Sequence, residues 1–379
     1  MRRPAYGAST FVIVSRRPVP RPVGRSTERS RARPWGEATE QALYGPGGFF
    51  HRPEGPAGHF RTSVHASPLF ARAVLTLLEH VDDALGHPDR VDLVDVGAGR
   101  GELLRQVARF LADSRPDHEP LTGAPALVGR LHLHAVERAE RPAGIPAEVT
   151  WGADLPEQVV GLVVANEWLD NVPIDVVEAS PDGLRQVLVD LSTGEEAPGG
   201  AIGLRDASWL NRWWPLAGAS SGERAEVGYP RDHAWAAVVH SVRRGVVVAI
   251  DYGHVKDERV VGDYETGTLT GYREGRAVPP VPDGSCDLTS HVAVDACAAA
   301  GERAGASSTR LLHQREALMA LGIEGAQPSA ELASTDPVAY ARGLAAASEA
   351  AELLDPHGLG GFWWLVQGVR VPLPGALRE

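Results

Sequence analysis

Val91-Asp92-Leu93-Val94-Asp95-Val96-Gly97-Ala98-Gly99-Arg100-Gly101 is the stretch on which the fold turns. Its apolar, β-branched start reads as a buried strand, which the glycines at 97, 99 and 101 bring to an end. Leu103, Leu104, Val107 and Leu111 then recur at helical spacing. The unit is a strand, a glycine loop and a helix. Glycines let the backbone turn sharply and bring its N–H groups and the helix N-terminus against a ligand with no Cβ in the way. The spacing is G-x-G-x-G, whereas the dinucleotide fingerprint needs a glycine at 102, where this chain has Glu102. A carboxylate beside a pyrophosphate is repulsive, so the loop fits a nucleoside without one, such as S-adenosylmethionine. Taken alone, the loop is equally a tight strand-to-helix connection.

Working outward, Ser67-Pro68 followed by Phe70, Val74, Leu77, Leu78, Val81 and Leu85 predicts a helix from Pro68 to Leu85, with a cap and a first-turn proline. Short apolar runs at Val91–Val96, Leu131–Val136, Glu148–Trp151, Leu162–Ala165, Val246–Ile250 and Trp363–Val371 predict strands. Such runs alternating with helices imply a parallel sheet covered on both faces, a doubly wound α/β fold. Glu137, at the carboxyl end of the second strand, is placed to accept both ribose hydroxyls. It lies 40 positions after Gly97, a gap lengthened by the Pro-rich insertion Ser114 to Gly129. Asp154, after the third strand, offers a carboxylate to an adenine amine or bonds its own turn.

The fourth strand runs into Asn166-Glu167-Trp168-Leu169-Asp170-Asn171-Val172-Pro173, at the edge where doubly wound folds bind ligands. Asp170 follows Glu167 at i+3, one face if the segment turns helical. Asn166, Glu167 and Asp170 are therefore candidate catalytic residues: two carboxylates to orient a cationic acceptor and take its proton, and an amide to position it. Capping of the next turn accounts for Asn171.

Residues 1–33 carry nine arginines and one acid, so the net charge of -12 divides into about +8 for this arm and -20 for the rest. A body that acidic repels phosphate backbones, which argues against nucleic acid and for a cationic or basic-protein partner. No apolar run approaches a membrane span. Cys286 and Cys297 make neither a disulfide framework nor a zinc site, and the histidines show no H-E-x-x-H pattern, so no metal is implied. With one lysine, Lys256, among 37 basic residues, the composition looks like that of a G+C-rich bacterial genome, and a cytoplasmic location is expected.

Taken together the blocks resemble the MidA-like S-adenosylmethionine-dependent methyltransferases, relatives of the mitochondrial complex I assembly arginine methyltransferase. The resemblance rests on Gly48-Phe49-Phe50, His59-Phe60-Arg61-Thr62-Ser63, Val94 to Gly101 and Ala165 to Pro173. It extends through Ile250-Asp251-Tyr252-Gly253, Thr268-Leu269 with Tyr272-Arg273, and Asp287-Leu288-Thr289-Ser290-His291-Val292. It implies a class I Rossmann-like methyltransferase with a seven-stranded doubly wound sheet and S-adenosyl-L-methionine as cofactor. It gives Thr62, Ser63, Gly97, Gly99, Gly101 and Glu137 to that cofactor, sets Asn166-Glu167 beside the transferred methyl, and points to a protein arginine as acceptor. Where the family reads T-S-P-E this chain has Thr62-Ser63-Val64-His65, an imidazole in place of a carboxylate, which leaves the acceptor open.

The expected organisation is a disordered Arg-rich arm over residues 1–34 and a helical region over 35–90 that contributes to the cofactor pocket. A methyltransferase domain over 91–379 follows, with insertions near 180–230 and 257–306 that build the acceptor groove. A small-molecule methyltransferase and a non-catalytic S-adenosylmethionine-binding assembly module are the two other readings these residues allow, and the oligomeric state stays open.

Overall fold

Seven strands form the central sheet of the computed structural model, which describes residues 32–52, 62–113, 127–262 and 264–378. They are β1 (Val91–Val96), β2 (Leu131–Val136), β3 (Val149–Gly152), β4 (Val159–Asn166), β5 (Val242–Asp251), β6 (Ser308–His313) and β7 (Trp363–Val369), in the spatial order 3-2-1-4-5-7-6. Strands β1 to β5 are parallel. The wholly parallel sheet expected from the apolar runs is modified at one edge, where β7 runs antiparallel between β5 and β6. Buried on both faces like β5, β7 carries no local mark of its direction.

Strand β4 shows how this sheet is covered. Leu162 and Val164 join a core that includes Phe70, Val74, Leu77 and Leu104, while Val163 and Ala165 join one that includes Trp235, Val238 and Cys297. Alternate residues of a strand face opposite layers, so every position must be apolar. The helix Pro68–Leu85 forms as expected: Ser67 Oγ accepts from Leu69 N at 3.0 Å, and Gly86 ends it in the left-handed region at φ 77°. Each large side chain it fully buries contributes about 1.5–3 kcal/mol. Cys286 and Cys297 are both buried and unpaired.

A second, five-stranded antiparallel sheet is built from Ala32–Pro34, Asp175–Ser180, Gly183–Asp190, Glu196–Ala201 and Arg224–Val227. Ala32–Pro34 falls inside the stretch expected to be an unstructured arm, yet it pairs with Leu188–Asp190. An edge strand needs only free ladder groups on its neighbour, which the arm's composition does not reveal. Residues 1–31, and the Pro-rich insertion over 114–126, lie outside the described residues. The helix Trp35–Tyr44 belongs to this second sheet, through Trp35 Nε1 on Glu196 Oε1 at 2.8 Å and Gly36 N on Asp175 Oδ1 at 2.8 Å. The stretch 35–90 therefore serves two layers.

Candidate functional site

The order 3-2-1-4-5-7-6 reverses direction between β1 and β4, and a crevice opens there at the carboxyl ends of the strands. Val96 is level with Val136 and with Ala165, and Asn166 with Ile250. The register thus sets Gly97, Glu137, Glu167 and Asp251 along one sheet edge. A cavity of about 1540 Å³ lies over it, lined by Thr62, Gly97, Gly99, Glu137, Asp154, Asn166, Glu167 and Asp170 among others. Ser63 and Gly101 adjoin it through their neighbours.

The glycine loop is a cradle that side chains would fill. Gly97 has φ 72°, and a Cβ there would stand 2.6 Å from Trp168 Cδ1. At Gly101, φ 75°, it would stand 2.5 Å from Ile145 Cδ1. Glu137 accepts from Gly99 N through Oε2 and from Ala139 N through Oε1, each at 2.9 Å, and keeps lone pairs for ribose hydroxyls. Glu102 Oε2 accepts from Arg100 N at 2.9 Å, so a carboxylate of the chain itself occupies the loop where a pyrophosphate would bind. His65 bonds Thr62 Oγ1 at 2.7 Å through Nδ1 and lies 3.4 Å from Glu102 Oε1 through Nε2. Position 65 therefore presents an imidazole beside the Glu102 carboxylate. Asp154 is exposed at the rim.

Asp95, at the end of β1, was not singled out from the sequence. It is 4% exposed, lines the cavity and accepts no hydrogen bond from the described residues. Burial, then the Glu102 and Glu137 charges, push it up to about 8. A carboxylate buried one residue from the end of a strand is costly without a partner, and that cost was the available signal. The group fits a ligand carrying positive charge, which S-adenosyl-L-methionine does at its sulfonium and its ammonium.

At the acceptor end, Glu167 adopts φ 51° between β4 and a single 3-10 turn, Leu169–Asn171. The shared helical face expected for Glu167 and Asp170 is replaced by this kink. Glu167 Oε1 accepts from Ser63 N at 2.9 Å and from Asn166 Nδ2 at 3.1 Å. Burial pushes Glu167 up to about 7 despite these donors. Asp251 Oδ2 caps the turn, accepting from Trp168 N at 3.3 Å and Leu169 N at 2.9 Å. Asn171 is no cap. Its Nδ2 donates to Asp287 Oδ1 at 2.9 Å and Leu288 O at 3.3 Å, fastening the turn to the strand Asp287–Thr289. Asp287, driven up to about 8 by burial and by Asp170, lines the cavity with Tyr252, Thr289 and His291. Asp170 Oδ2 accepts from Tyr252 Oη at 2.5 Å and Thr289 Oγ1 at 2.7 Å. Its Oδ1, and Asn166 Oδ1, are buried with no partner among the described residues.

A model of S-adenosyl-L-methionine-dependent methyltransferases, Methyltransf_28, matches residues 69–312. The chain belongs to this family. S-adenosyl-L-methionine is accordingly its cofactor, in agreement with the glycine loop. A curated relative, the protein arginine methyltransferase NDUFAF7 homolog, mitochondrial, of Drosophila melanogaster, is 25% identical over 271 residues. The match covers 63% of this chain and 59% of the relative, so this chain spans under two thirds of that protein. A crystal structure from Burkholderia thailandensis with S-adenosyl-homocysteine bound superposes at TM-score 0.74 and 25% identity, over 93% of this chain and 92% of that one. A native structure from the same organism gives 0.72 at 26% identity, over 93% and 91%. These likenesses bear out the family and the Rossmann-like fold expected from the sequence.

Proposed function

We propose that this methyltransferase acts on a guanidinium nitrogen of a protein arginine. The observation that carries the reading is a pair of buried oxygens with no partner among the described residues, Asn166 Oδ1 and Asp170 Oδ1, on side chains that line the cavity with Glu167. Buried acceptors without donors are rare and costly, so a ligand rich in N–H groups answers them. A guanidinium has five N–H donors, a planar shape and a positive charge, and it suits a chamber that also holds Asp287, Tyr252 and Tyr272.

When bound, S-adenosyl-L-methionine supplies a methyl already activated by the sulfonium charge. Asp170 and Asn166 hold the arginine N–H groups and fix the nitrogen's direction. Glu167 accepts the proton the nitrogen loses, and a base poised at about 7 is matched to that task near neutral pH. Trp168, packed against Gly97, and Phe362 add apolar wall to the chamber, which favours a partly dry site for the transfer. The named activity of the Drosophila relative supports the same acceptor.

The test is transfer of labelled methyl from S-adenosyl-L-methionine to acetyl-Gly-Gly-Arg-Gly-Gly-amide, with the Lys peptide as comparison. Methylarginine in the hydrolysate, lost in Glu167→Gln while S-adenosyl-homocysteine still binds, is the expected result. Equal labelling of the Lys peptide, or full activity in Glu167→Gln, defeats the reading.

A further inference from the structure

Arg231 stands in the first turn of the helix Tyr229–Ser241 and is 3% exposed. Its Nε donates to Val172 O at 3.3 Å, and its Nη1 to Ser290 O at 3.1 Å and His291 O at 2.8 Å. Its Nη2 donates to Asp170 O at 2.5 Å and Ser290 Oγ at 2.9 Å. Five contacts match the five N–H groups of a guanidinium, and none of the five acceptors is a carboxylate. The buried charge is solvated by carbonyl dipoles and a hydroxyl instead of an ion pair.

Those acceptors come from two segments far apart in sequence, 170–172 after β4 and 290–291 after the strand Asp287–Thr289. Asp170, Asn171 and His291, which line the acceptor end of the cavity, all lie in them. We infer that Arg231 is a positioning residue for the methyl acceptor: it fastens both segments so that Asp170 keeps Oδ1 available to the acceptor. Lysine keeps the charge but has three donors on one nitrogen and cannot span the two segments. The inference rests on the reading in which Asp170 receives the acceptor's N–H groups.

The test uses the full chain and calorimetry of acetyl-Gly-Gly-Arg-Gly-Gly-amide on the S-adenosyl-homocysteine complex, for wild type, Arg231→Lys, Asp170→Asn and the double variant. Arg231→Lys is expected to keep S-adenosyl-homocysteine affinity within about threefold and to weaken the peptide about tenfold or more. If Arg231 acts through Asp170, the double variant is no weaker than Asp170→Asn by more than about twofold. Ser290→Ala, which removes one of the five acceptors, moves the peptide in the same direction by less and stands in should Arg231→Lys fail to fold. An unchanged peptide affinity in Arg231→Lys, or losses that multiply in the double variant, overturns the inference. A wild type that does not bind the peptide, or a silent Asp170→Asn, overturns the reading beneath it and the inference with it.

Discussion

The backbone N–H of Ser63 donates to Glu167 Oε1 at 2.9 Å, across 104 positions of sequence. Ser63 opens the short helix Ser63–Ala66 after Thr62 in extended backbone, φ -82° and ψ 169°. Its N–H is one of the groups a helix start leaves free, and here the proton acceptor proposed for the reaction takes it. Proline suits a first helical position and tolerates an extended residue before it. Ser63→Pro therefore removes this donor with little local strain, while Ser63→Ala removes only the hydroxyl that meets Gln314. A hydrogen bond to a carboxylate is worth at least about 1.5 kcal/mol, or about one pKa unit. The acid limb of the rate profile should move up by about one pH unit in Ser63→Pro relative to Ser63→Ala, at unchanged S-adenosyl-homocysteine affinity. Coincident profiles in the two variants would show that the contact does not tune Glu167.

Burial raises Asp95 from 3.8 to about 8 and Glu167 from 4.5 to about 7. Over pH 5 to 8 the folded chain holds protons that the unfolded chain has released. Stability from these groups is complete below their ordinary values and is lost as pH rises through 7 to 8. Asp92, lowered to about 2 by His134, Val160 N and Arg90 against its own desolvation, acts in the opposite sense at more acid pH, and His254 and His291, lowered by burial from 6.5 to about 2 and about 4, oppose the loss up to 6.5. The thermal midpoint should fall between about pH 6.5, where the two histidines no longer oppose it, and pH 8, and Asp95→Asn should flatten that slope. A midpoint that rises over this range in the wild type, or an unaltered slope in Asp95→Asn, counts against the assignment.

The parts of this molecule legible in its sequence are those in which local pattern and tertiary burial agree. Strand β4 is apolar because both faces are covered, β1 and β2 carry apolar residues at most positions, and the helix Pro68–Leu85 carries its cap, proline and apolar stripe in one window. The second sheet was not legible. Its strand Glu196–Ala201 reads EAPGGA, is mostly exposed, and shows no period of two. The glycine loop, Glu137 and the Asn166–Asp170 turn were readable because each follows a recognisable strand end. Tyr252, Asp287 and Thr289 were not, since they meet Asp170 and Asn171 through contacts 82 to 119 positions apart, which no spacing encodes.

Gly97→Ala should abolish cofactor binding by a steric route. The position combines φ 72° with a Cβ site 2.6 Å from Trp168 Cδ1. The left-handed conformation alone costs a non-glycine residue about 1–2 kcal/mol, and Trp168 must also move. Calorimetry should show S-adenosyl-homocysteine affinity down by at least about tenfold with a lowered thermal midpoint. Gly86→Ala is the control, with φ 77° but no atom within 4 Å of the Cβ site. It should lose stability alone; equal cofactor loss in both variants would mean that backbone strain, not the Trp168 contact, is responsible.

Tyr252→Phe isolates the hydroxyl that anchors Asp170. The ring packs edge-on against His291 and Phe362, with centroids 5.3 and 5.4 Å away, and phenylalanine keeps both contacts. The lost Oη donates to Asp170 Oδ2, which then retains Thr289 Oγ1 as its remaining hydroxyl donor. With one donor gone the carboxylate is freer to rotate, and Oδ1 no longer has a single place to await the acceptor. Binding of the arginine peptide should weaken about tenfold, the value of one charge-assisted hydrogen bond, while S-adenosyl-homocysteine affinity holds. Thr289→Val should act in the same direction. Because both hydroxyls serve one oxygen, the double variant should weaken the peptide by less than the product of the two single losses, since residues that share a partner do not contribute independently. Multiplying losses would mean that the two hydroxyls meet the peptide directly, and an unchanged affinity in Tyr252→Phe would remove Asp170 from the acceptor site.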